Sequence, residues 1–465
     1  MSSTARADLG PTIAIIGAGF SGVVTAARLL AAAAGPVRIV MINRSGPSAR
    51  GVAYGTRTDA HVLNVPAGRM SAYPEDEDDF LRFAVRRVAG ATGGSFLPRS
   101  LFGAYLDFVL ARAAQSAVPG ALVETVVGEV TGIETDGAGC RLRFDDERAL
   151  LADAVVLAVG NYPPADPGFL PEALRVPPRY LRDPWVPHGL ERIGRGERVL
   201  LLGTGLTMAD VAIAIGGRVG AMTAVSRRGV VSAAHRDPGV PPTGDHLPAD
   251  LTAGPATALG YLRSVRRQIA RETARGGDWR DVIAALRPVT PALWTRLPDR
   301  ERARFLRHLK PYWEAHRHRA APAQSRALDE LRAGGRLEVV AGTVVRVSSN
   351  GRELTVTIRR RRGGELTAVF DRLVNCTGPA SDLSVVDDPL IRSLVDEGRI
   401  RPDRHRLGLG TSDEYQVLDR DGRPAERIFY VGPLLRATHW EATAVPELRI
   451  HAMAVASAVA RCADL

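Results

Sequence analysis

The spacing of hydrophobic and polar positions near the start of the chain changes from that of a strand to that of a helix. The apolar run at residues 13–16 predicts a buried parallel strand, and the Ala-rich stretch after it predicts a helix. Gly17, Gly19 and Gly22 separate the two elements at a one-three-six spacing. This order of strand, glycine turn and helix is typical of a unit that binds a dinucleotide.

Each glycine of this fingerprint has a physical role. Gly17 permits the tight turn, Gly19 lets backbone amides approach a pyrophosphate, and Gly22 lets the helix lie close to the strand. Phe20 and Ser21 fall at the start of the helix, whose N-terminus favours phosphate. The sequence therefore predicts a dinucleotide site here.

A second apolar strand is predicted at residues 37–42 and ends at Asn43. In this fold the residue at that place contacts the adenosine ribose and is usually Asp or Glu. Asn43 departs from the pattern, although an amide can still hydrogen-bond a ribose hydroxyl. The neighbouring Arg44 is a candidate to stack on adenine.

A second fingerprint follows near the middle of the chain. Residues 199–202 predict a buried strand, Gly203 and Gly205 a turn, and Leu206 and Thr207 the start of a helix. The third glycine is missing, and Ala209 lies near the position that needs a small side chain for packing. The sequence therefore predicts a second nucleotide site.

The residues after the next predicted strand indicate which nucleotide binds there. The strand at 221–225 is followed by Ser226, Arg227 and Arg228, with no acid in the ribose position. An acid repels a 2′-phosphate, whereas a hydroxyl and two guanidiniums bind it through charge-assisted hydrogen bonds. The pattern favours NADPH over NADH, with two solvated loop charges as the alternative interpretation.

Two similar blocks, at residues 122–161 and 337–379, read as β-meanders that each lead into a buried strand. The strands stop at small-residue corners that contain Gly160 and Gly378. Each block follows a glycine fingerprint, so the sequence predicts an α/β fold with two Rossmann-like dinucleotide-binding domains and β-meander insertions. The predicted bounds are 1–190 with 376–465 for the first domain and 196–375 for the second, the latter with a helical insertion at 241–325.

That insertion begins with a Pro/Gly-rich linker at 238–248 and continues with amphipathic helices. Its end gathers the basic residues His316, Arg317 and Arg319. No metal pair is expected from His316 and His318, because the two would diverge on a continuing helix. The basic residues are candidates to anchor an anionic substrate, and a basic exposed helix end is the alternative.

Composition narrows the class of protein. The chain has 465 residues and a net charge of +10, but the positive residues are spread along it, which argues against a nucleic-acid partner. The arginine run at 359–362 reads as a solvated hairpin loop. The three cysteines lie far apart and form no Cys-x-x-Cys pair, which argues against disulfides, structural zinc and a dithiol redox centre. No apolar run long enough to span a membrane and no signal peptide in residues 1–10 are found, so a cytoplasmic location is expected.

Four segments in order carry a resemblance to a known family: GAGFSG, GVAYGT, HVLNVPAGRMSAYPEDEDDFLRF and FLPRSLFGAYL. The chain resembles the FAD/NAD(P)-binding family that includes nitrosuccinate-forming L-aspartate N-monooxygenases and a FAD-dependent urate hydroxylase, and RFLRHLKPYWEAHRHRAAP continues the resemblance. The resemblance implies that the first fingerprint holds FAD. It also implies that residues 64–71, among them Asn64, Val65 and Met70, lie beside the flavin, and that Arg99 lies near its phosphates or ribityl chain.

The C-terminal part returns to the first domain. A predicted strand ends at Gly432, and a helix of small residues follows. In flavoproteins with two nucleotide domains such a strand and helix bring backbone amides to the flavin ring, and Gly432 is the candidate for close approach. Trp440 and Glu441 match the family's Trp-Glu pattern, with helix capping and packing as the alternative.

An FAD site and an NADPH site without a cysteine pair exclude the disulfide reductases of this architecture. Hydride from NADPH would reduce flavin N5, and O2 would then give a C4a-hydroperoxide whose distal oxygen passes to a nucleophile. We expect a monooxygenase that hydroxylates the nitrogen of a small amino acid such as aspartate, with this amine and O2 as small-molecule partners. The substrate rests on the resemblance; a C-hydroxylase of a urate-like heterocycle and a non-catalytic redox sensor or scaffold are the alternatives.

Overall fold

The computed structural model of the chain describes residues 10–46, 50–56, 58, 61–137, 139–236 and 246–465. Residues 1–9, in which the sequence predicts no signal peptide, and residues 238–245 of the predicted linker lie outside this part. Within it, no helix combines the length and the apolar composition that crossing a bilayer requires.

The strands of the described residues include those that were predicted on either side of each glycine fingerprint and in each meander. They are β1 (Thr12–Ile16), β2 (Val37–Asn43), β3 (Ala121–Val127), β4 (Val130–Asp136), β5 (Gly139–Phe144), β6 (Ala149–Ala152), β7 (Ala154–Leu157), β8 (Tyr180–Leu181), β9 (Arg198–Leu202), β10 (Ala221–Ser226), β11 (Leu337–Ser349), β12 (Leu354–Arg360), β13 (Glu365–Phe370), β14 (Arg372–Asn375), β15 (Gln416–Leu418) and β16 (Pro424–Tyr430).

The helices of the same residues include one directly after each glycine fingerprint. They are α1 (Phe20–Ala32), α2 (Gly51–Tyr54), α3 (Asp79–Val85), α4 (Arg99–Gln115), α5 (Leu206–Gly216), α6 (Ala258–Ala274), α7 (Trp279–Leu286), α8 (Thr290–Arg296), α9 (Asp299–His308), α10 (Lys310–Arg317), α11 (Pro322–Ala333), α12 (Pro389–Asp396) and α13 (Val445–Cys462).

The chain divides into two compact units. The first comprises residues 1–57, 66–162 and 380–465, and the second comprises 58–65 and 163–379. Residues 163–190 therefore group with the second unit and not, as predicted, with the first. The reason is strand pairing: β8 joins the second sheet, where Tyr180 lies opposite Leu373 of β14 in a parallel pair.

The first unit is built on a sheet with the strand order β15-β16-β7-β1-β2-β3. Its central strand β1 is parallel to β2 and β7, and all five of its residues are buried. Strand β3, which was predicted to belong to the meander, pairs with β2 along its whole length, from Val37 opposite Ala121 to Asn43 opposite Val127. The meander proper is the three-stranded sheet β4-β5-β6, and α1 packs against α13 and α4.

The second unit has one sheet in the order β13-β12-β11-β10-β9-β14-β8. The long strand β11 connects its two parts. Residues 337–341 pair in parallel with β10, whereas residues 342–349 pair antiparallel with β12. The nucleotide-binding sheet and its meander are therefore continuous, which places the β12–β13 hairpin next to the end of β10.

The predicted helical insertion is formed by α6 to α10. Its helices share an apolar core that includes Leu251, Ile283 and Leu286. Thr257 caps α6 and Asp278 caps α7, each accepting a hydrogen bond from a backbone amide of the first turn. These caps and the apolar spacing explain why the amphipathic pattern forms separate helices here.

A buried carboxylate, Asp79, fixes the segment between α2 and α4. It is 4% exposed and accepts hydrogen bonds from Tyr105 Oη at 2.6 Å and from Arg112 through two bonds of 2.8 Å. Tyr105 Oη in turn accepts from the Ala72 amide at 3.0 Å. Burial, with the neighbouring Asp79, raises the pKa of Tyr105 well above its ordinary value, so the phenol keeps its proton and donates it.

We expect Asp79→Asn to lower the free energy of unfolding by about 2 kcal/mol, because charge-assisted bonds to two partners are lost. Asp76→Asn is the matched control, since Asp76 is exposed and pairs only with Arg82 at the surface. Urea unfolding of both variants measures the difference. Equal effects would show that the buried network adds nothing beyond a surface pair.

Candidate functional site

The glycine corners of the two units have the same geometry. Gly17 has φ 114° and Gly203 has φ 108°. Each amide donates a 2.8 Å hydrogen bond to a carbonyl of the next strand in its sheet, Ile42 O for Gly17 and Val225 O for Gly203. Both residues occupy backbone conformations that side chains disfavour.

Space around these corners is filled by backbone. A Cβ on Gly17 would lie 2.2 Å from Ala158 O, and one on Gly203 would lie 2.5 Å from Cys376 O. A Cβ on Gly22 would lie 2.0 Å from Gly17 O, so helix α1 requires a glycine at the third position. The equivalent position in α5 is Met208, one residue before the small residue Ala209 that the sequence suggested for packing; both are buried.

Helix α1 begins at the edge of a cavity in the first unit. Its N-cap residue Gly19 has no side chain with which to cap the helix, and an added Cβ would have only the Gly51 Cα nearby, at 3.8 Å. The free end of a helix beside an open cavity is suited to the pyrophosphate of FAD. The predicted residues that line this cavity are Gly17, Gly19, Phe20, Ser21, Asn43, Arg44 and Gly160.

The ribose position of this cavity has an acid that the sequence analysis missed. Asn43 donates from Nδ2 to Gly46 O and so closes its own turn. Glu129, two residues after β3, lines the cavity and pairs with Arg44 at 3.1 Å, while Asp388 holds the same guanidinium at 3.0 Å. Because β3 is the neighbour of β2, the carboxylate comes from the adjacent strand end. The Gly128-Glu129 step directly after β3 is the sequence signal by which it could have been found.

Tyr54 is a partly buried phenol that lines the same cavity. Burial raises its pKa to about 12, and the positive charge of Arg99 opposes that rise. Arg99 begins α4, directly after Pro98. It lies close enough to Tyr54 to act on it, although it does not itself line the cavity.

The remaining predicted flavin-side residues divide between the units. Met70 is buried in the first unit, whereas Asn64, Val65 and Gly378 group with the second. Gly160 has φ 71° with nothing within 4 Å of an added Cβ, which leaves its inner side open to the cavity.

Gly432 is a glycine for a packing reason. It has φ 146°, and an added Cβ would lie 2.8 Å from Tyr430 Oη, which accepts a hydrogen bond from the Leu434 amide. A short 3-10 helix follows it, and the long helix α13 begins only at Val445. Trp440, between them, is 2% exposed and lies under the Arg436 guanidinium at 4.2 Å.

The second fingerprint offers a similar helix end. Gly205 is the N-cap of α5, with Leu206 and Thr207 as its first residues, and nothing lies within 4 Å of an added Cβ on Gly205. The Ser226 hydroxyl is used within the protein, since it contacts Thr204 Oγ1 at 2.8 Å and accepts from the Gly229 amide at 3.0 Å. It shapes the loop that carries the two predicted arginines.

A cluster of basic side chains forms in the second unit where a short extended segment meets the end of the helical block. Ala234 and Ala320 form a parallel bridge, and the His235 amide donates to Ala320 O at 2.9 Å. This pairing places residues 235 and 236 beside Arg319. We call Arg236, Arg280, Arg317 and Arg319 the basic cluster.

The basic cluster carries more positive than negative charge. Arg236 pairs with Asp281 and lies 3.6 Å from Asp278, which also pairs with Arg280 at 3.2 Å. The two aspartates pair with Arg236 and Arg280, and Arg319 has no ion-pair partner among the described residues. Burial, together with the charges of the other three arginines, lowers the pKa of Arg319 to about 10.

His235 borders the cluster and connects it to Asn64. Its Nε2 lies 3.0 Å from Asn64 O, and because a carbonyl only accepts, Nε2 carries the proton and donates it. Burial, with Arg319 nearby, lowers the pKa of His235 to about 4, so the ring is neutral at pH 7. His316 and His318 have separate partners, Tyr312 O at 2.7 Å and Glu314 at 3.1 Å.

The two glycine corners and the two mixed sheets with parallel centres define a two-domain flavoprotein fold of the FAD/NAD(P)-binding kind. Residues 14–162 match the profile described as FAD-NAD(P)-binding. An uncharacterized protein of Mycobacterium tuberculosis is 25% identical over 413 residues, which cover 79% of this chain and 73% of that protein. The flavin-containing monooxygenase ustF1 of Aspergillus flavus is 27% identical over 219 residues, or 44% of this chain and half of its own length.

Solved structures share the fold over nearly the whole chain. L-lysine 6-monooxygenase from Pseudomonas syringae has a TM-score of 0.64 at 16% identity, with 97% of this chain and 99% of that chain covered. Ornithine hydroxylase from Pseudomonas aeruginosa has a TM-score of 0.59 at 16% identity and the same coverage. Thioredoxin reductase from Lactococcus lactis has a TM-score of 0.53 at 11% identity, with 98% and 99% covered. Together the matches support FAD and NADPH as cofactors and a flavin-dependent oxidoreductase as the class of enzyme.

Proposed function

We propose that this protein is an FAD- and NADPH-dependent monooxygenase that hydroxylates the nitrogen of a small acidic amino acid such as L-aspartate. FAD is assigned to the first unit and NADPH to the second, and the enzyme to the cytoplasm. Bound FAD supplies the redox chemistry by taking hydride from NADPH and activating O2. The residues of the chain hold the nucleotides and the amine and keep water away.

The basic cluster is the observation that carries the choice of substrate. The positive charge of its guanidiniums, in particular that of Arg319, matches the negative carboxylates of aspartate. Planar guanidiniums bind carboxylates through paired hydrogen bonds, which fixes orientation as well as charge. The side-chain cation of lysine or ornithine would be repelled by the same cluster, so this chain is expected to differ in substrate from the lysine and ornithine enzymes whose fold it shares.

The same positive surroundings favour the reactive form of the amine. A nitrogen attacks only when it is neutral, and burial beside positive charge lowers the pKa of a cationic group. Arg319 and His235 both show this effect in the cluster, since the pKa values of both are lowered. An amine bound there would lose its proton more readily than in water.

Asn64 borders this cluster through His235. Its carbonyl accepts the Nε2 proton of His235 at 3.0 Å. This bond holds His235 in one tautomer, whereas burial and the charge of Arg319 lower its pKa and keep the ring neutral, and it serves as a positioning residue. The basic cluster would then bind the carboxylates of a substrate whose amine is to be oxidised.

The test is NADPH-dependent oxygen uptake by the purified protein, with mass spectrometry of the amine product. L-aspartate should accelerate coupled oxygen uptake and gain one oxygen on nitrogen, whereas L-lysine and L-ornithine should not. Hydrogen peroxide as the sole oxygen product with every amine would contradict the proposal. An oxygenated urate would support the C-hydroxylase instead, and a flavin that NADPH does not reduce would identify a passive binder.

A further inference from the structure

The arginine run in the β12–β13 hairpin is exposed, as the sequence predicted, and it lies next to the end of β10. Ser226 of β10 lies opposite Ala341 of β11, and the next β11 residue, Gly342, lies opposite Arg360 of β12. The Arg361 amide donates to Ala341 O at 2.9 Å and closes the corner. The tip of the hairpin is therefore one strand away from the ribose position of the second fingerprint.

A surface groove of the second unit is lined from both sides of this corner. Arg227 comes from the loop after β10, and Arg359, Arg360 and Arg361 come from the hairpin. Glu365 is the acid in its lining. Arg227, Arg359 and Arg360 are exposed, and their guanidiniums have no hydrogen-bond or ion-pair partner among the described residues. Such a set of free guanidiniums is suited to a phosphate dianion.

Arg228, the other arginine that the sequence predicted for the 2′-phosphate, is held elsewhere. Its Nη2 donates to Arg307 O at 2.8 Å, and its guanidinium lies 5.3 Å from the centre of the Tyr312 ring. Arg361 and Arg228 hydrogen-bond to the Tyr312 hydroxyl and lower its pKa. Arg228 therefore supports the loop, whereas Arg227 is free to bind.

We propose that the 2′-phosphate of NADPH is bound by Arg227 together with the hairpin residues Arg359 and Arg360. Arginines from two separate elements then close on one phosphate, which makes the meander a specificity element for NADPH and not a passive insertion. The proposal rests on the assignment of NADPH to the second unit made under the proposed function.

Calorimetric titration of the oxidised, FAD-loaded protein with NADP+ and NAD+ tests this without turnover. The double variant Arg359→Ala/Arg360→Ala should bind NADP+ about tenfold or more weakly, because two charge-assisted contacts to the phosphate are lost. Its affinity for NAD+ should stay within about twofold, since NAD+ has no 2′-phosphate. Arg227→Ala should behave in the same way.

Arg362→Ala is the matched control, because Arg362 belongs to the same hairpin and does not line the groove. It should leave the affinity for both nucleotides unchanged, and Arg228→Ala should weaken NADP+ binding less than Arg227→Ala. The affinity for NADP+ should also depend less on salt in the double variant, because fewer charges contact the ligand. Flavin absorbance and melting temperature should match the wild type, since the replaced side chains are exposed.

Three results would overturn the inference. In the first, the double variant binds NADP+ as tightly as the wild type, which leaves the assignment of NADPH to the second unit intact. In the second, it loses NADP+ and NAD+ affinity by the same factor. In the third, the wild type itself binds NADP+ and NAD+ with equal affinity, so no residue contributes binding energy through the 2′-phosphate. None of these results bears on amine oxygenation, which the oxygen-uptake experiment measures separately.

Discussion

Gly17→Ala is expected to abolish FAD binding and to destabilise the first unit by roughly 4 kcal/mol or more. The residue has φ 114°, which an alanine adopts only with strain, and the new Cβ would lie 2.2 Å from Ala158 O. That oxygen is backbone, and its residue is fixed because the Ala158 amide donates to Ile16 O at 2.8 Å. Relief of the clash would have to move β1 away from β7, which also displaces the start of α1.

Flavin absorbance of the purified variant and its urea unfolding measure the two effects. Gly35→Ala is the control, because Gly35 has no positive φ and nothing lies within 4 Å of an added Cβ. It should retain FAD and unfold like the wild type. If Gly17→Ala retains its flavin and unfolds at the same urea concentration as the control, the corner does not position the cofactor.

The equivalent change in the second unit, Gly203→Ala, separates the two nucleotide assignments. Its new Cβ would lie 2.5 Å from Cys376 O, so the same kind of clash arises at the other corner. If the first unit holds FAD, this variant should keep its flavin and lose NADP+ binding. Loss of the flavin from Gly203→Ala alone would reverse the assignment.

The parts of the site that could be predicted are those set by short-range geometry. Gly17 and Gly203 were found from spacing alone, because a strand that turns directly into a helix against a neighbouring carbonyl admits only glycine. The end of β2 was predicted at Asn43, and the structure places it there.

The parts that could not be predicted depend on which strands become neighbours. An acid was expected at the end of β2, where the chain has Asn43. Glu129 lies near that position only because β3 pairs in parallel with β2, whereas the sequence suggested that this strand belongs to the meander. Residues 163–190 were assigned to the first domain, because the two-residue strand β8, which joins them to the second sheet, is too short to give a recognisable hydrophobic pattern.

The arginine residues show the same limit on a larger scale. Arg236 and Arg280 reach Arg319 through a bridge between Ala234 and Ala320, about which local spacing carries no information. The hairpin arginines are exposed as predicted, but their proximity to Arg227 could not be predicted, because Arg227 lies more than a hundred positions earlier. The composition shows that the chain is basic, but only the strand topology shows which arginines lie close together.

Replacement of Arg319 should remove activity and preserve or raise stability, a combination that a merely structural arginine would not give. In the folded protein its pKa falls to about 10, which shows that burial and three nearby arginines disfavour its charge by on the order of 3 kcal/mol. Arg319→Met keeps an apolar stem and removes that cost, so the melting temperature should not fall. Such a trade of stability for function is common at binding sites.

With L-aspartate, kcat/KM of Arg319→Met should fall by about 100-fold, the loss expected when a charged hydrogen-bonding partner of a carboxylate is removed from a half-buried site. The rate at which NADPH reduces the flavin without aspartate should not change, because the change is confined to amine binding. Arg332→Met is the matched control, because Arg332 is half exposed and forms a long surface ion pair of 3.7 Å with Asp329. If Arg319→Met instead unfolds more readily and retains its kcat/KM for aspartate, the basic cluster supports the fold and the acidic amine binds elsewhere.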